Sequence, residues 1–275
     1  KIKLKEIKMF KPLTKVELKE LVDNLEISLA DIDVSAITDM SELFQYTKRT
    51  DFSGIENWDV SAVTDMVYMF NGAKNFNADI SGWDVSNVIT MFGMFRDAES
   101  FNQNISKWNV SNVKRMGAMF AGAENFNQPL NSWNVSNVID MSSMFSRAEN
   151  FNQPLDKWDI TGVEYMDYMF SMAENFNQPL ESWDVSNVIG MTAMFSGTKN
   201  FNQPLNGWNV SNVKDMDYMF LGAESFNQDI SKWNVSNVTT MKNMFYGATN
   251  FNQFLDDWDM SNVKNIDTMF CAPNK

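Results

Sequence analysis

The chain carries every one of its tryptophans at a fixed spacing. Each of the nine follows the previous one at the same interval: Trp58, Trp83, Trp108, Trp133, Trp158, Trp183, Trp208, Trp233 and Trp258. A recurring sequence motif surrounds them, and residues 126–145, FNQPLNSWNVSNVIDMSSMF, are one copy of it. Self-similarity at a fixed period predicts a repeat protein, because one short unit cannot bury its own apolar side chains and must stack on its neighbours.

Two apolar patterns recur within each unit. The columns represented by Val88, Met91, Met94, Phe95 and Ala98 are spaced by three and four residues, which predicts one buried face of a short helix or 3₁₀ turn. The segment PLNSWNV alternates apolar and polar residues and predicts a short strand. Counting a degenerate first unit around IDVSAITDMSELF, the sequence predicts an α/β repeat solenoid of about ten 25-residue coils, right-handed in its winding.

A different pattern precedes the repeats. In LTKVELKELVDNLE, Thr14 and Glu17 have the spacing of a helix N-cap and its capping box. An apolar stripe follows, formed by Leu18, Leu21, Val22 and Leu25. We therefore expect residues 1–30 to form an N-terminal capping helix segment and residues 31–275 to form one continuous repeat domain.

The carboxyl end stops in mid-unit at MFCAPNK. Val263, Ile266, Met269 and Phe270 occupy core columns there, and no further coil follows to cover them. Uncovered apolar surface and unpaired strand edges are usually covered or paired in natural proteins. The sequence therefore predicts that the chain continues in the native protein or forms a homodimer through this end.

Composition excludes several classes of function. The formal net charge is −13, which opposes binding to nucleic acid. Because the chain has no His and one Cys, Cys271, imidazole catalysis, internal disulfides and the usual zinc clusters are excluded. No apolar run approaches the ~20 residues of a transmembrane helix. We expect no enzyme, no catalytic residue, no metal and no cofactor.

The repeat itself resembles a known family. Units such as WDVSNVITMFGMFRDAESFNQ, covering roughly residues 31 to 270, are similar to the repeats of mycoplasma-type bacterial surface lipoproteins, relatives of the BspA-like leucine-rich-repeat proteins. The resemblance implies a leucine-rich-repeat-like solenoid associated with adhesion or host contact, and no catalytic residues. It implies a secreted or cell-surface location, although the chain shows no signal or anchor and a cytoplasmic location stays open.

One polar column has a structural interpretation. The FNQ motif places an amide once in each unit, at Asn77, Asn102, Asn127, Asn152, Asn177, Asn202, Asn227 and Asn252. Buried amides in such a column can bond the backbone of their own and adjacent coils. We therefore expect an asparagine ladder rather than a ligand site.

The column after Trp is a candidate metal site. Asp59 and Asp84 are consecutive, as are Asp159 and Asp184, and stacked carboxylates repel unless a cation such as calcium or a donor separates them. The same slot is filled elsewhere by Asn109, Asn134, Asn209 and Asn234. This exchange favours a turn-capping role, for which any side-chain acceptor serves. Calcium binding stays an alternative.

The candidate binding residues lie where the units differ. Between the two Met columns, Tyr68, Tyr168 and Tyr218 share a column that helical phase directs away from the core, and Phe92 precedes it in a neighbouring unit. Exposed aromatic residues are enriched in recognition surfaces. They predict an adhesin-like protein that binds a host or neighbouring protein or a glycan. The alternative is a structural spacer or displayed variable antigen with no specific ligand.

Overall fold

The computed structural model describes residues 9–264 and 268–270. Its helical elements all lie near the amino end: the helix α1 at Lys15–Asp23 and 3₁₀ helices at Leu29–Asp31 and Ile55–Asn57. The remaining described residues form turns, bends and isolated parallel β-bridges rather than extended strands. The helices therefore close one end of the molecule, and the repeats fold by another device.

The helix α1 begins as the sequence predicts. The Thr14 hydroxyl accepts a hydrogen bond from the Glu17 amide at 3.2 Å, and the Glu17 carboxylate accepts one from the Thr14 amide at 3.1 Å. This reciprocal pair confirms the capping box. Leu18 and Val22 are fully buried, but the helix ends at Asp23 and Leu25 lies exposed beyond it.

Arg49 fastens α1 to the first unit. Its guanidinium is almost fully buried and donates hydrogen bonds to the carbonyl oxygens of Val22, Asn24 and Ile27 at 2.9 to 3.2 Å. These carbonyls lie at and after the carboxyl end of the helix, where backbone acceptors lack partners within the helix. Burial lowers the pKa of Arg49, but an arginine keeps its charge at neutral pH.

Successive units stack in parallel register. Single parallel bridges link Asp39 to Asp65, Asp65 to Thr90, and so on, one bridge for each unit, as far as Thr240. The Met66 amide donates to the Thr90 carbonyl at 3.1 Å, so each bridge joins one unit to the next. The chain is therefore a repeat protein whose units lie one upon another.

The segment that follows each bridge is a series of turns, and the prediction of a short helix or 3₁₀ turn there is wrong. The Met69 amide donates to the Met66 carbonyl three residues earlier at 3.2 Å, but the next amide, that of Phe70, donates to Met94 of the following unit at 2.8 Å. This alternation recurs from unit to unit. Because every second amide bonds outside the unit, a helix cannot form, although the apolar spacing is the same.

Positive φ angles accompany this alternation. Tyr68 has φ 53° and Gly72 has φ 67°, and the equivalent positions of later units repeat the conformation. A four-residue turn with φ above zero at its third residue has the form of a type II turn, which favours glycine. Non-glycine residues hold this conformation at a cost of about 1 kcal/mol each, so the bonds between units must outweigh it.

The predicted strand at PLNSWNV is also wrong. The Trp133 amide donates to the Leu130 carbonyl at 3.0 Å, and the Val138 amide donates to Val135 at 2.9 Å, so the segment consists of turns. No β-bridge falls within it. The polar and apolar alternation is instead explained by side chains: the Trp133 indole nitrogen donates to the Ile105 carbonyl of the previous unit at 3.1 Å.

The core consists of identical side chains stacked along the repeat axis. Phe95 and Phe120 lie with ring centroids 5.7 Å apart and nearly parallel, and Phe101 lies 3.9 Å from Phe95 in the second phenylalanine column. The Met columns between them are fully buried over units that have a neighbour on both sides. Parallel displaced rings bury large apolar areas at favourable separations, which makes each unit's stability depend on the next.

Trp158 tests how much the buried column contributes. We expect Trp158→Ala to lower the free energy of unfolding by about 3–5 kcal/mol, the usual cost of deleting a large buried aromatic. Trp158→Phe should cost less, about 1–2 kcal/mol, because Leu130 still accepts the Trp133 amide when the indole donor is lost. Urea unfolding measures both variants. Equal stability of wild type and Trp158→Ala would contradict the buried assignment.

Candidate functional site

One side of the turn series carries positions that vary from unit to unit. We call it the variable face; it comprises positions 65, 67, 68, 71 and 72 and their equivalents in each later unit, and Asn71, Ser171 and Ser196 of its fourth column are buried. The buried Met66, Met69 and Phe70 alternate with these positions along the turn series. The turn geometry therefore directs one set of side chains into the core and the other onto this face.

The four candidate binding residues lie on the variable face with different exposures. Tyr168 is 45% exposed, whereas Tyr68, Phe92 and Tyr218 are half-buried. Tyr68 and Phe92 are in contact, with ring centroids 5.4 Å apart at an interplanar angle of 88°. Tyr168 and Tyr218 are held two units apart along the same column, so the structure brings together only the first pair.

Partial burial follows from the direction in which these side chains lean. The Tyr68 ring covers Gly93 of the next unit so closely that a Cβ built on Gly93 would lie 2.3 Å from its Cε1 atom. Phe92 covers Gly117 in the same manner, at 2.7 Å. Helical phase predicts outward side chains, but the left-handed backbone at Tyr68 lays its ring along the repeat axis instead.

Sequence reasoning missed the cations of this face. The guanidinium carbon of Arg115 lies 5.2 Å from the centroid of the Phe92 ring, and its Nε lies 3.9 Å from a carboxylate oxygen of Asp140. Similarly, the Lys242 ammonium lies 5.7 Å from the Tyr218 ring. A cation over an aromatic ring is favourable by about 0.5–1 kcal/mol at exposed sites. Each cation belongs to the unit after that of its aromatic partner. An aromatic residue followed by a cation in the next unit was therefore the available sequence signal.

A shallow groove crosses the middle of the variable face. It has a volume of about 240 Å³ and runs between Phe92 and Arg96 at one end and Arg147 at the other. Small residues form its floor, including Ala118 and Ala121 of the intervening unit. The groove exists because Phe92 and Arg96 are followed, in the same two columns, by small residues in the next two units.

The FNQ asparagines form the predicted ladder. The Asn152 carboxamide oxygen accepts the Asn177 amide at 3.0 Å and the Gln178 side chain at 2.9 Å. The same pair of bonds recurs from Asn77 to Asn227. These side chains are exposed or half-buried rather than buried as expected. Their acceptors are committed to the next unit, which confirms a structural role.

The acidic column after Trp caps turns. The Asp59 carboxylate accepts hydrogen bonds from the Ser61 amide at 3.1 Å and the Ser61 hydroxyl at 2.6 Å. The hydroxyl and then the amide of the Ser two residues on hold the pKa of Asp84 and Asp184 below the usual range. Asn134 accepts the same bonds from Ser136. The four aspartates therefore have donors that separate their charges.

Calcium is not needed to explain this column. Among the residues that the structure describes, no group of three or more His, Cys, Asp or Glu side chains is arranged to hold a metal ion. The calcium alternative stays a prediction, which melting curves with calcium and with a chelator test. A melting temperature that rises with calcium would support it.

The turn-capping role has a consequence for acid stability. A carboxylate whose pKa is lower in the folded than in the unfolded chain stabilises the fold above the unfolded pKa, about 3.9, and this contribution is lost as pH falls through the folded value. We therefore expect Asp184→Asn to make stability less dependent on pH below about 4. Asn209→Asp, in the equivalent slot, should make it more dependent.

Thermal melting between neutral pH and pH 2.5 or below, roughly one unit under the unfolded aspartate pKa, measures both changes. Asp23→Asn serves as a control because Asp23 lies in α1, outside the repeats. Identical pH profiles for Asp184→Asn and wild type would show that the Ser186 bond does not perturb Asp184 in the folded chain.

Comparison with known proteins identifies a family and no individual relative. Neither the curated proteins nor the solved structures yield a match to this chain. None of the helices in the described ranges has the length and apolar character needed to cross a membrane. One family model matches at residues 8–128, 103–206 and 179–275, and its overlapping segments together reach from the capping helix through the repeats. The chain therefore belongs to the repeat family described as "Mycoplasma protein of unknown function, DUF285".

Proposed function

We propose that the chain is a non-catalytic, leucine-rich-repeat-like solenoid that binds a protein or a glycan through the variable face. The observation that carries this proposal is the contrast between two sets of columns in the same turn series. The Met and Phe columns hardly change and are buried, whereas the columns between them change in size, polarity and charge from unit to unit. A rigid array with a variable surface is the usual arrangement of repeat proteins that bind ligands.

The stacking supports the solenoid assignment. The interval between successive bridges falls in the range of about 20–29 residues that leucine-rich repeats occupy. Leucine-rich repeats place one parallel strand in each coil. Here each coil has a parallel bridge of a single residue in place of such a strand. The right-handed winding and the relation to BspA-like proteins are part of this proposal.

The chemistry of the variable face supports binding. Tyr168 is exposed, and Phe92 is paired with Arg115. Tyrosine and arginine are the residue types enriched at binding hot spots. Ala118, Ser143 and Tyr168 keep positive φ angles on this face, although glycine would relieve the strain. The side chains at these positions therefore hold a backbone conformation that has an energetic cost.

The state of the carboxylates argues against acid–base catalysis. General acid catalysis by a carboxyl group needs a pKa raised toward neutrality. Among the described residues, the carboxylates with shifted pKa values are shifted in the opposite direction; the pKa of Asp33 falls to about 2, chiefly because the Ser35 hydroxyl and the Lys11 ammonium bond it. They are fixed as acceptors for turns, which is a structural use.

We also propose that the protein works at the cell surface or outside the cell, in line with its family resemblance.

We further propose that the carboxyl end of the chain associates with a second copy. Phe254 is 83% exposed and Phe270 is 55% exposed at that end, and pairing would cover this apolar surface. Ile266 and Cys271 lie outside the described residues. Sedimentation of wild type and Phe270→Lys distinguishes a dimer from a monomer.

The central test removes the aromatic side chains of the variable face together. We expect the combined variant Tyr68→Ser, Phe92→Ser, Tyr168→Ser and Tyr218→Ser to lose saturable binding to a glycan array or a panel of purified extracellular proteins by at least about tenfold, or ~1.4 kcal/mol. The control carries Lys107→Ser, Lys157→Ser and Lys232→Ser, which are exposed in the turns before Trp. It should bind as wild type does.

Loss of binding can be assigned to the aromatic side chains only if the variants stay folded. The exposed Tyr168→Ser change alone should alter the free energy of unfolding by no more than about 0.5 kcal/mol, and melting of the combined variant shows whether it is folded at the assay temperature. Absence of saturable binding by the wild-type chain on both the array and the panel would contradict the proposal and favour a spacer or displayed antigen.

A further inference from the structure

The arginines of this acidic chain are not scattered. The sequence contains four, and Arg49 is buried against backbone carbonyls at the end of α1. The other three, Arg96, Arg115 and Arg147, lie in three consecutive units, all on the variable face. A chain of net charge −13 therefore concentrates every exposed guanidinium on one surface.

Two of these arginines form the ends of the groove. Arg96 lies beside Phe92 in one unit, and Arg147 lies two units further on, a span of about 10 Å at the usual spacing of parallel backbone segments. Ala118, Ala121 and Ser143 lie between them. The groove thus offers an apolar and hydroxyl-bearing floor between two cations.

The guanidinium groups are only weakly engaged within the chain. The Arg96 Nε lies 3.5 Å from a carboxylate oxygen of its neighbour Asp97, which also lines the groove. Exposed ion pairs of this kind contribute about 0–1 kcal/mol and exchange readily. Within the described ranges, no carboxylate oxygen lies within 4.0 Å of the Arg147 guanidinium, which is exposed. Arg147 therefore presents its donors to solvent.

We propose that this groove binds an extended acidic peptide, with carboxylate side chains on Arg96 and Arg147 and small apolar side chains on the alanine floor. The assignment rests on the proposed function, because it gives a ligand class to the same face. Guanidinium groups bind carboxylates through two parallel hydrogen bonds. A volume of about 240 Å³ is below that of most small-molecule pockets, ~300–1,000 Å³, and suits single side chains along a peptide.

Other ligand classes fit this groove less well. Nucleic acid binding draws on many phosphate contacts, and the surrounding chain is acidic, with Asp97 inside the groove. A sugar ring would need a free aromatic face. The Phe92 ring is already covered by Arg115 at 5.2 Å and contacted by Tyr68 at 5.4 Å. A peptide requires neither.

Fluorescence anisotropy with the full chain tests this proposal. The probe is a fluorescein-labelled peptide of alternating glutamate and alanine, and its control has glutamine in place of glutamate. Measurements at physiological ionic strength limit repulsion from the acidic surface, because the Debye length is then about 8 Å. We expect saturable binding of the glutamate peptide and at least about tenfold weaker binding of the glutamine peptide, ~1.4 kcal/mol.

Variants locate the binding. Arg147→Gln and Arg96→Gln should each weaken the glutamate peptide at least about fivefold, whereas Lys157→Gln, an equal charge change at an exposed position outside the groove, should leave it unchanged. The affinity of Arg147→Lys should lie between those of wild type and Arg147→Gln, because lysine keeps the charge but loses the two parallel donors of the guanidinium. Unchanged melting temperatures would show that these exposed substitutions leave the fold intact.

The outcomes separate this proposal from the more general one. Glutamate-peptide binding that is absent, or equal in Arg147→Gln and wild type, overturns the peptide assignment, while the array and panel can still show binding through the aromatic residues. Arg147-dependent binding of oligogalacturonate without peptide binding also overturns it, and transfers the carboxylate chemistry to a glycan. Loss of both activities in the wild-type chain contradicts the proposed function as well.

Discussion

The hydrogen bonds that every second amide of the turn series makes to the next unit are the constraint on which the rest of the structure depends. The Phe70 amide reaches the Met94 carbonyl, and Phe95 repeats the bond to Met119. Because these bonds run at a constant offset, one added residue would misplace all the later ones in that unit. The strict recurrence of Trp and Phe then follows, since their stacks must keep the same register.

The same constraint divides the side chains into two populations. Alternation sends Met66 and Met69 into the core and places Tyr68 on the variable face with a positive φ angle. Residues facing the core cannot change without disturbing the stacked rings. Those on the face can differ in every unit, which is how an almost uniform scaffold comes to carry a groove with arginines at both ends.

Much of this arrangement could be predicted from the sequence, and the errors have physical reasons. The capping box at Thr14 and the asparagine ladder follow from local spacing and periodicity. The helix and strand assignments failed because spacings of three and four residues also suit successive turns that bond between units. The groove could not be foreseen, because Phe92, Ala118 and Arg147 come from different units and meet only through the stacking.

Deletion of one whole unit tests this register most directly. Removing residues 176–200 joins Asn175 to Phe201, which reproduces the junction that Asn200 and Phe201 already make in the next unit. We predict that this shorter chain melts cooperatively and shows the fluorescence of buried tryptophan. Removing residues 176–199 instead leaves one extra residue, which should lower the melting temperature by several degrees and the free energy of unfolding by more than about 1 kcal/mol. Equal melting of the two deletion variants, or failure of the 176–200 variant alone to fold, would contradict the prediction.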